Sequence, residues 1–285
     1  MKFTSYLLIC AAITCITACQ KSVGWAVDPL TNEVLDSSAN VQSLGNLANV
    51  VSTSNTGSME HMFTYDSLGR IITERESGTI EGSKYDDFKR YERDTLGRIV
   101  NIAAITYTSI DTTYTEVYYD DERTPNFLRA VHVFEEAGIS VRDSAVYTYD
   151  GNGNIAIEKV FRKSLADYQL FARNEFAYNN GNLISLKNYI DTSNNGGLAL
   201  AASCHFSYDS QINPLYRGIE AMLASRPVYA SRNNQLKMAV DEVLAPAIDH
   251  ATSTSFVYSR SRQPVAATST SVPDSTKTRY TFSYR

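Results

Sequence analysis

The residues that could do chemistry are few, and their spacing argues against catalysis. The four histidines, His61, His132, His205 and His250, are not spaced as metal ligands, and neither H-E-x-x-H nor C-x-x-C occurs. Cys204 and His205 are neighbours, so in a strand they point to opposite faces and cannot form a nucleophile–base pair; Asp249 and His250 fail in the same way. His132, between Val131 and Val133, reads as a solvent-facing imidazole on the polar side of an alternating strand. The run Asp150-Gly151-Asn152-Gly153-Asn154 opens like a calcium loop. However, Ile155 stands where that loop needs Gly and Phe161 where it needs Glu, so the run reads as a hairpin turn. G-x-S-x-G and the phosphate-binding glycine loops are absent. The pairs Asp86-Asp87, Asp120-Asp121 and Glu135-Glu136 read as loop or edge-strand charges that discourage aggregation. The expectation is a protein with no catalytic residue, no metal site and no cofactor.

Tyrosine is the unusual component, with 19 residues against a single Trp. Most belong to a core stripe described below. Tyr107, Tyr114, Tyr118 and Tyr168 fall outside it and are the candidate ligand-contacting aromatics. Exposed rings with Asn and Asp around them can stack on sugar rings while hydrogen-bonding hydroxyls, which points to a glycan as ligand.

The elements that would position these rings come from a repeat. The segments F-T-Y-D-S-L-G-R-I-I from Phe63 and Y-E-R-D-T-L-G-R-I-V from Tyr91 are near-copies, and shorter copies follow. The third position of each unit is Tyr65, Arg93, Tyr119, Tyr149, Tyr178, Tyr208, Tyr258 and Tyr284. Most intervals are roughly 28 residues, within the range of repeat architectures, and the one from Tyr208 to Tyr258 carries an insertion. Within a unit, Phe63 and Tyr65 share one strand face. Asp66 opens a turn by accepting backbone N–H groups, and Gly69 supplies the positive φ that closes it. Each unit is therefore a β-hairpin, and stacking them gives an extended, twisted antiparallel sheet.

In the insertion, Asn213 suits an N-cap and Pro214 the first helical position. Leu215, Ile219, Met222 and Leu223 then form one apolar stripe before Pro227. One short helix near 213–225 is expected. Leu236 to Leu244 fits either a strand or a helix, with strand preferred.

The chain has 285 residues, 43% of them hydrophobic, and a net charge of −5, which is the composition of a globular protein with no basic face for nucleic acid. Its N-terminus reads as an export signal, with Lys2 ahead of an apolar stretch too short to span a bilayer. Ile16-Thr17-Ala18-Cys19 resembles the lipobox of bacterial lipoproteins, which implies lipidation of Cys19 and attachment to the membrane through that lipid. Gln20 after the cysteine implies, by lipoprotein sorting rules, the outer membrane, with the periplasmic or surface side left open. Loss of the signal and modification of Cys19 leave Cys204 as the one unmodified thiol, read as a buried small hydrophobe. The expected organisation is a signal peptide at 1–18, a lipidated cysteine and flexible tether at 19–58, and a repeat domain at 59–285 with an insertion at 213–250.

The Y-D-x-x-G-R-I pattern resembles the YD repeat of RHS-type proteins. Over roughly residues 59–285 the chain is similar to small Bacteroidota lipoproteins of an uncharacterised domain family. That likeness rests on the YD-like hairpins, Asn213-Pro214-Leu215-Tyr216, Ser231-Arg232-Asn233-Asn234 and the closing Phe282-Ser283-Tyr284. It implies a mostly β architecture of YD-repeat-like hairpins and carries no activity. The function expected is a non-catalytic, lipid-anchored binding module of the cell envelope for a glycan or other extracellular ligand. The alternative is an envelope scaffold or a subunit with a protein partner.

Overall fold

The computed structural model describes residues 45–285 apart from 108–110, 121–123, 137–138, 164–166, 193–196, 245–249 and 273. The signal peptide and Cys19 lie outside the described residues. Among the described residues, sixteen strands form one closed antiparallel barrel in which every strand pairs with its sequence neighbours and the first pairs with the last. The strands are β1 Leu47–Ser54, β2 Gly57–Tyr65, β3 Ile71–Ile80, β4 Ser83–Arg93, β5 Ile99–Thr106, β6 Asp111–Tyr119, β7 Phe127–Glu136 and β8 Ile139–Tyr149. They continue with β9 Ile155–Lys163, β10 Tyr168–Asn179, β11 Asn182–Asp191, β12 Leu198–Ile212, β13 Asn233–Glu242, β14 His250–Tyr258, β15 Pro264–Val272 and β16 Lys277–Tyr284.

Closure corrects the expectation of an open sheet, and the register shows why the sheet curls. Each repeat tyrosine, or Arg93 in its place, sits opposite a bulge. Tyr65 pairs Ile71 while Thr64 pairs Thr73, so Ile72 is the extra residue. The same step inserts Val100, Leu128, Ala156, Ile184, Leu236, Val265 and Ala48 on the other return strands. A bulge bends its strand and increases local twist, and one per hairpin at the same height bends the sheet in one sense until its edges meet. Pairing of β1 with β16 then removes both edges. Closure also corrects the tether boundary, because β1 starts at Leu47, inside the stretch expected to be spacer. It likewise removes the edge-strand role assigned to the acidic pairs.

The YD turns, the chain entry at Gly45 and the 213–232 insertion lie at one end of the barrel, called here the mouth. In the turn after β2, Asp66 Oδ1 accepts the N–H groups of Leu68 and Arg70, both at 2.9 Å, and Oδ2 accepts Arg70 Nε at 2.7 Å. Asp94 with Leu96 and Arg98, and Asp150 with Asn152 and Asn154, repeat this arrangement. Gly69, Gly97 and Gly153 adopt φ of +76°, +86° and +80° to close the turns. The Asp66 carboxyl is held below the usual range, chiefly by the backbone N–H of Arg70.

The core lies inside the barrel. Phe63, Tyr91, Val117, Phe127, Tyr147, Phe176, Phe206 and Phe282 are buried there, with Leu215, Met222 and Leu223 of the insertion. The outer wall is polar. Arg75 forms a fork with Asp86 at 2.9 and 2.7 Å, Arg90 pairs with Glu92, Arg142 with Glu116 at 3.4 Å and Arg173 with Glu175 at 3.0 Å. A barrel that spans a bilayer needs an apolar outer band about 25 Å tall, and a cation at its midplane costs about 2–4 kcal/mol. This wall carries charged pairs on β3, β4, β6, β8 and β10, with Ile72, Val100, Leu128 and Ile184 exposed near the mouth.

Candidate functional site

The insertion is the element that closes the mouth. Its helical content is smaller than expected: α1 covers only Glu220–Leu223, followed by a 3-10 turn at Pro227–Ala230. Asn213 does not cap a helix. Its Oδ1 accepts the Leu215 N–H at 2.9 Å and its Nδ2 donates to the Ser231 carbonyl at 3.1 Å, which closes the neck of the loop. The ambiguous stretch Leu236 to Leu244 is strand through Glu242, within β13, so the inserted body is 213–232.

The Ser231–Asn234 motif ties the second root to the wall. Ser231 is fully buried; its Oγ accepts the Leu183 N–H at 3.0 Å and donates to Tyr208 Oη at 2.9 Å. Asn233 and Asn182 bond reciprocally at 2.8 and 3.0 Å. Asp209 accepts from Gln211, Asn234 and the Tyr258 phenol. Backbone groups freed by leaving the sheet are thus met by these side chains and by backbone bonds from Asn213 N–H to the Arg232 carbonyl and from Arg232 N–H to the Gly181 carbonyl.

From these roots the insertion reaches across the interior to β2, β3 and β4 through charges. Arg93 grips Glu220 at 2.6 and 2.9 Å, Arg226 pairs with Glu76 at 2.5 Å, and Lys89 Nζ donates to the Ala224 carbonyl at 3.2 Å. Arg217 pairs with Glu74 and donates to Tyr91 Oη at 3.2 Å. Glu74 also accepts the Tyr91 phenol at 2.7 Å and lies 3.2 Å from His61 Nε2. Burial pulls the His61 imidazole down to about 3, so it is neutral at pH 7, and pulls Lys89 down to about 8. For Glu76, burial acts upward, but Arg226 and Lys89 outweigh it and hold the carboxyl below its usual range.

Between insertion and wall, the mouth keeps a cleft of about 270 Å³. Tyr65, Tyr91, Tyr216 and Tyr284 supply rings to it, and Arg93, Arg217 and Glu220 supply its charged groups. Arg93 and Arg217 have side chains only 9% and 7% exposed, and the Nε of each has no acceptor.

The sequence-expected aromatics are elsewhere. Tyr107, Tyr114, Tyr118 and Tyr168 are all about half exposed. Tyr114 and Tyr118 share the outer face of β6. Tyr118 donates to Glu116 at 2.6 Å and carries the Arg129 guanidinium 4.4 Å above its ring. Tyr107 sits at the far end from the mouth, under Arg75 at 5.8 Å. Tyr168 is on β10, four strands from β6, or about 19 Å at the usual strand spacing, so no single strip contains all four.

Cys204 is buried in the core and His205 faces out, as alternation requires. His132 corrects the expectation of a solvent-facing ring. The bulge at Leu128 shifts the phase of β7, Val131 and Val133 turn outward, and His132 bonds Thr115 at 2.9 Å inside the barrel. Sequence reading missed Arg93 and Arg217. For Arg93 a signal existed: it is the one unit of the repeat whose third position is not tyrosine. Arg217 left no comparable trace.

No family model and no curated protein matches the chain. Among solved structures, a porin-like protein from Bacteroides uniformis ATCC 8492 superposes with a TM-score of 0.51 at 10% identity, covering 84% of this chain and 98% of that one. A porin-like protein from Bacteroides vulgatus ATCC 8482 gives 0.49 at 15% identity over 85% and 99%. The first likeness shows a shared barrel fold.

Proposed function

We propose that the protein is a non-catalytic binding module of the bacterial envelope, lipid-anchored through Cys19 at the outer membrane, with a glycan as its ligand class. The observation that carries this reading is the polarity of the barrel: charged pairs outside, aromatic core inside, and a mouth occupied by the insertion. Such a wall is suited to water beside a membrane and not to the hydrocarbon, so the lipid supplies the attachment and the barrel supplies the surface. Kinship with the YD-repeat lipoproteins is part of this reading, supported by the repeated Asp turns and by the structural use of the Asn213 and Ser231–Asn234 motifs.

Fractionation tests it. The full chain is expected in the membrane fraction, and a Cys19→Ala chain whose leader is replaced by an ordinary cleavable export signal is expected to be released, folded, by a high-salt wash. A variant that stays with the membrane through that wash would overturn the reading, because the barrel itself would then be inserted.

A scaffold role is the second reading, favoured by the paired charges spread round the wall, a surface suited to a protein neighbour. Crosslinking in intact cells separates the two. A single stoichiometric protein adduct on the outer wall favours the scaffold, and glycan retention without such an adduct favours the binding module.

A further inference from the structure

We infer that the mouth cleft, rather than the outer tyrosines, seats the ligand, and that it takes one neutral, hydroxyl-rich sugar ring at the end of a glycan. This deepens the glycan reading and rests on it.

The argument begins with charge. Arg93 is matched by Glu220, Arg217 by Glu74, and Arg70, at the rim, by Asp66 at 2.7 Å. The guanidiniums that line the cleft therefore have no surplus charge to offer an anion. A second carboxylate placed there would be left without a partner of its own, which a nearly buried site penalises. Two donors of the lining residues lack an acceptor. Buried donors are almost always satisfied, yet the Nε–H groups of Arg93 and Arg217 have none. An uncharged oxygen that accepts from a guanidinium at the cleft leaves the charge balance as it is.

The rest of the lining fits the same class. Glu220 can accept from a hydroxyl, as sugar-binding carboxylates must, while remaining paired to Arg93. The rings of Tyr65, Tyr91, Tyr216 and Tyr284 offer apolar faces for the C–H side of a sugar. The phenols of Tyr65, Tyr91 and Tyr284 are already held by the Leu47 carbonyl, Glu74 and the Pro264 carbonyl, so those rings are fixed in advance. A volume of about 270 Å³ lies at the small end of ligand pockets, which limits the seat to about one ring. The outer tyrosines compare poorly, because Tyr118 already carries a guanidinium and Tyr168 is remote.

The test uses the mature chain with Cys19→Ala on an immobilised panel of oligosaccharides ending in glucose, galactose, mannose or xylose, with uronate-terminated counterparts. Tyr216→Ala and Arg93→Lys probe the cleft. Tyr216 is 44% exposed, so its variant decides the matter if Arg93→Lys does not fold. A Tyr114→Ala, Tyr118→Ala double variant probes the wall, and thermal melting checks each fold. The expected result is retention of a neutral-terminated glycan that falls about tenfold or more in the cleft variants and is unchanged in the wall variant. Loss in the wall variant alone would overturn the cleft and leave the glycan reading standing. Preference for uronate termini would overturn the neutral class. No retention by the parent chain would overturn both.

Discussion

The phenol of Tyr65, the last residue of β2, donates to the carbonyl of Leu47, the first residue of β1, at 2.7 Å. The relationship recurs at the mouth end of other hairpins: Tyr119 to Ile99 at 2.9 Å, Tyr149 to Phe127 at 2.6 Å, Tyr208 to Leu183 at 2.6 Å and Tyr284 to Pro264 at 2.7 Å. These carbonyls lie at or beside the bulges, where the ladder is interrupted and an acceptor would otherwise go unmet. The repeat tyrosine is thus a clip that makes the bulge tolerable. Arg93 reaches the corresponding Ile71 carbonyl at 3.4 Å with Nη2 and holds Glu220 as well, so one clip doubles as the attachment of the insertion.

Tyr149→Phe keeps the ring in the core and removes only the donor. The Phe127 carbonyl then loses its clip, and a loss of about 1–2 kcal/mol in urea unfolding is expected. A change below about 0.3 kcal/mol would show that the hydroxyl is dispensable and that packing alone sustains the bulge.

Gly153→Ala isolates the conformational demand of the YD turn. The glycine has φ +80° and a Cβ there would meet nothing within 4 Å, so the penalty comes from the backbone alone. It should be about 1–2 kcal/mol, and Gly153→Asn should recover part of it, since Asn tolerates the left-handed region. Equal destabilisation by both variants would point to some other cause.

Ser231→Ala leaves the buried Leu183 N–H without its acceptor and Tyr208 Oη without its donor. The expected loss is about 1–3 kcal/mol, accompanied by faster proteolysis within 213–232 than within the strands. Wild-type resistance to protease would separate the root from the hold of the insertion.

His61 makes stability fall with acid. Its folded pKa of about 3 lies below the usual 6.5, so between those values the unfolded chain binds the proton and the folded one does not. Its contribution is complete above pH 6.5 and is lost progressively as pH falls towards 3, amounting to about 2 kcal/mol at pH 5. Glu76, also held below its usual range, adds a loss in the same direction below about pH 4.5. A His61→Gln variant measured in urea at pH 7 and pH 5 should show a smaller difference than the parent; an unchanged difference would remove His61 from the account.

Much of this molecule is local in origin and therefore legible in order. The F-x-Y stripe, Asp66 and Gly69 act over a few residues, so hairpins, turn positions and the inward face of Phe63, Phe176 and Phe206 follow from sequence alone, as do the opposite faces of Cys204 and His205. The same reading stopped where distant residues decide. Nothing local announces a bulge at Ile72 or Val100, yet those single extra residues set the curvature that brings β1 to β16. The one at Leu128 also sets the phase that turns His132 inward. The insertion shows the same division. Its apolar residues mark it as buried, but the helix covers only Glu220–Leu223, and the segment is held against the wall by charges on β3 and β4 more than a hundred residues earlier in the chain. The cleft exists only because Arg93 and Arg217 arrive from those two separate elements, and their meeting is a property of barrel closure that no spacing along the chain encodes.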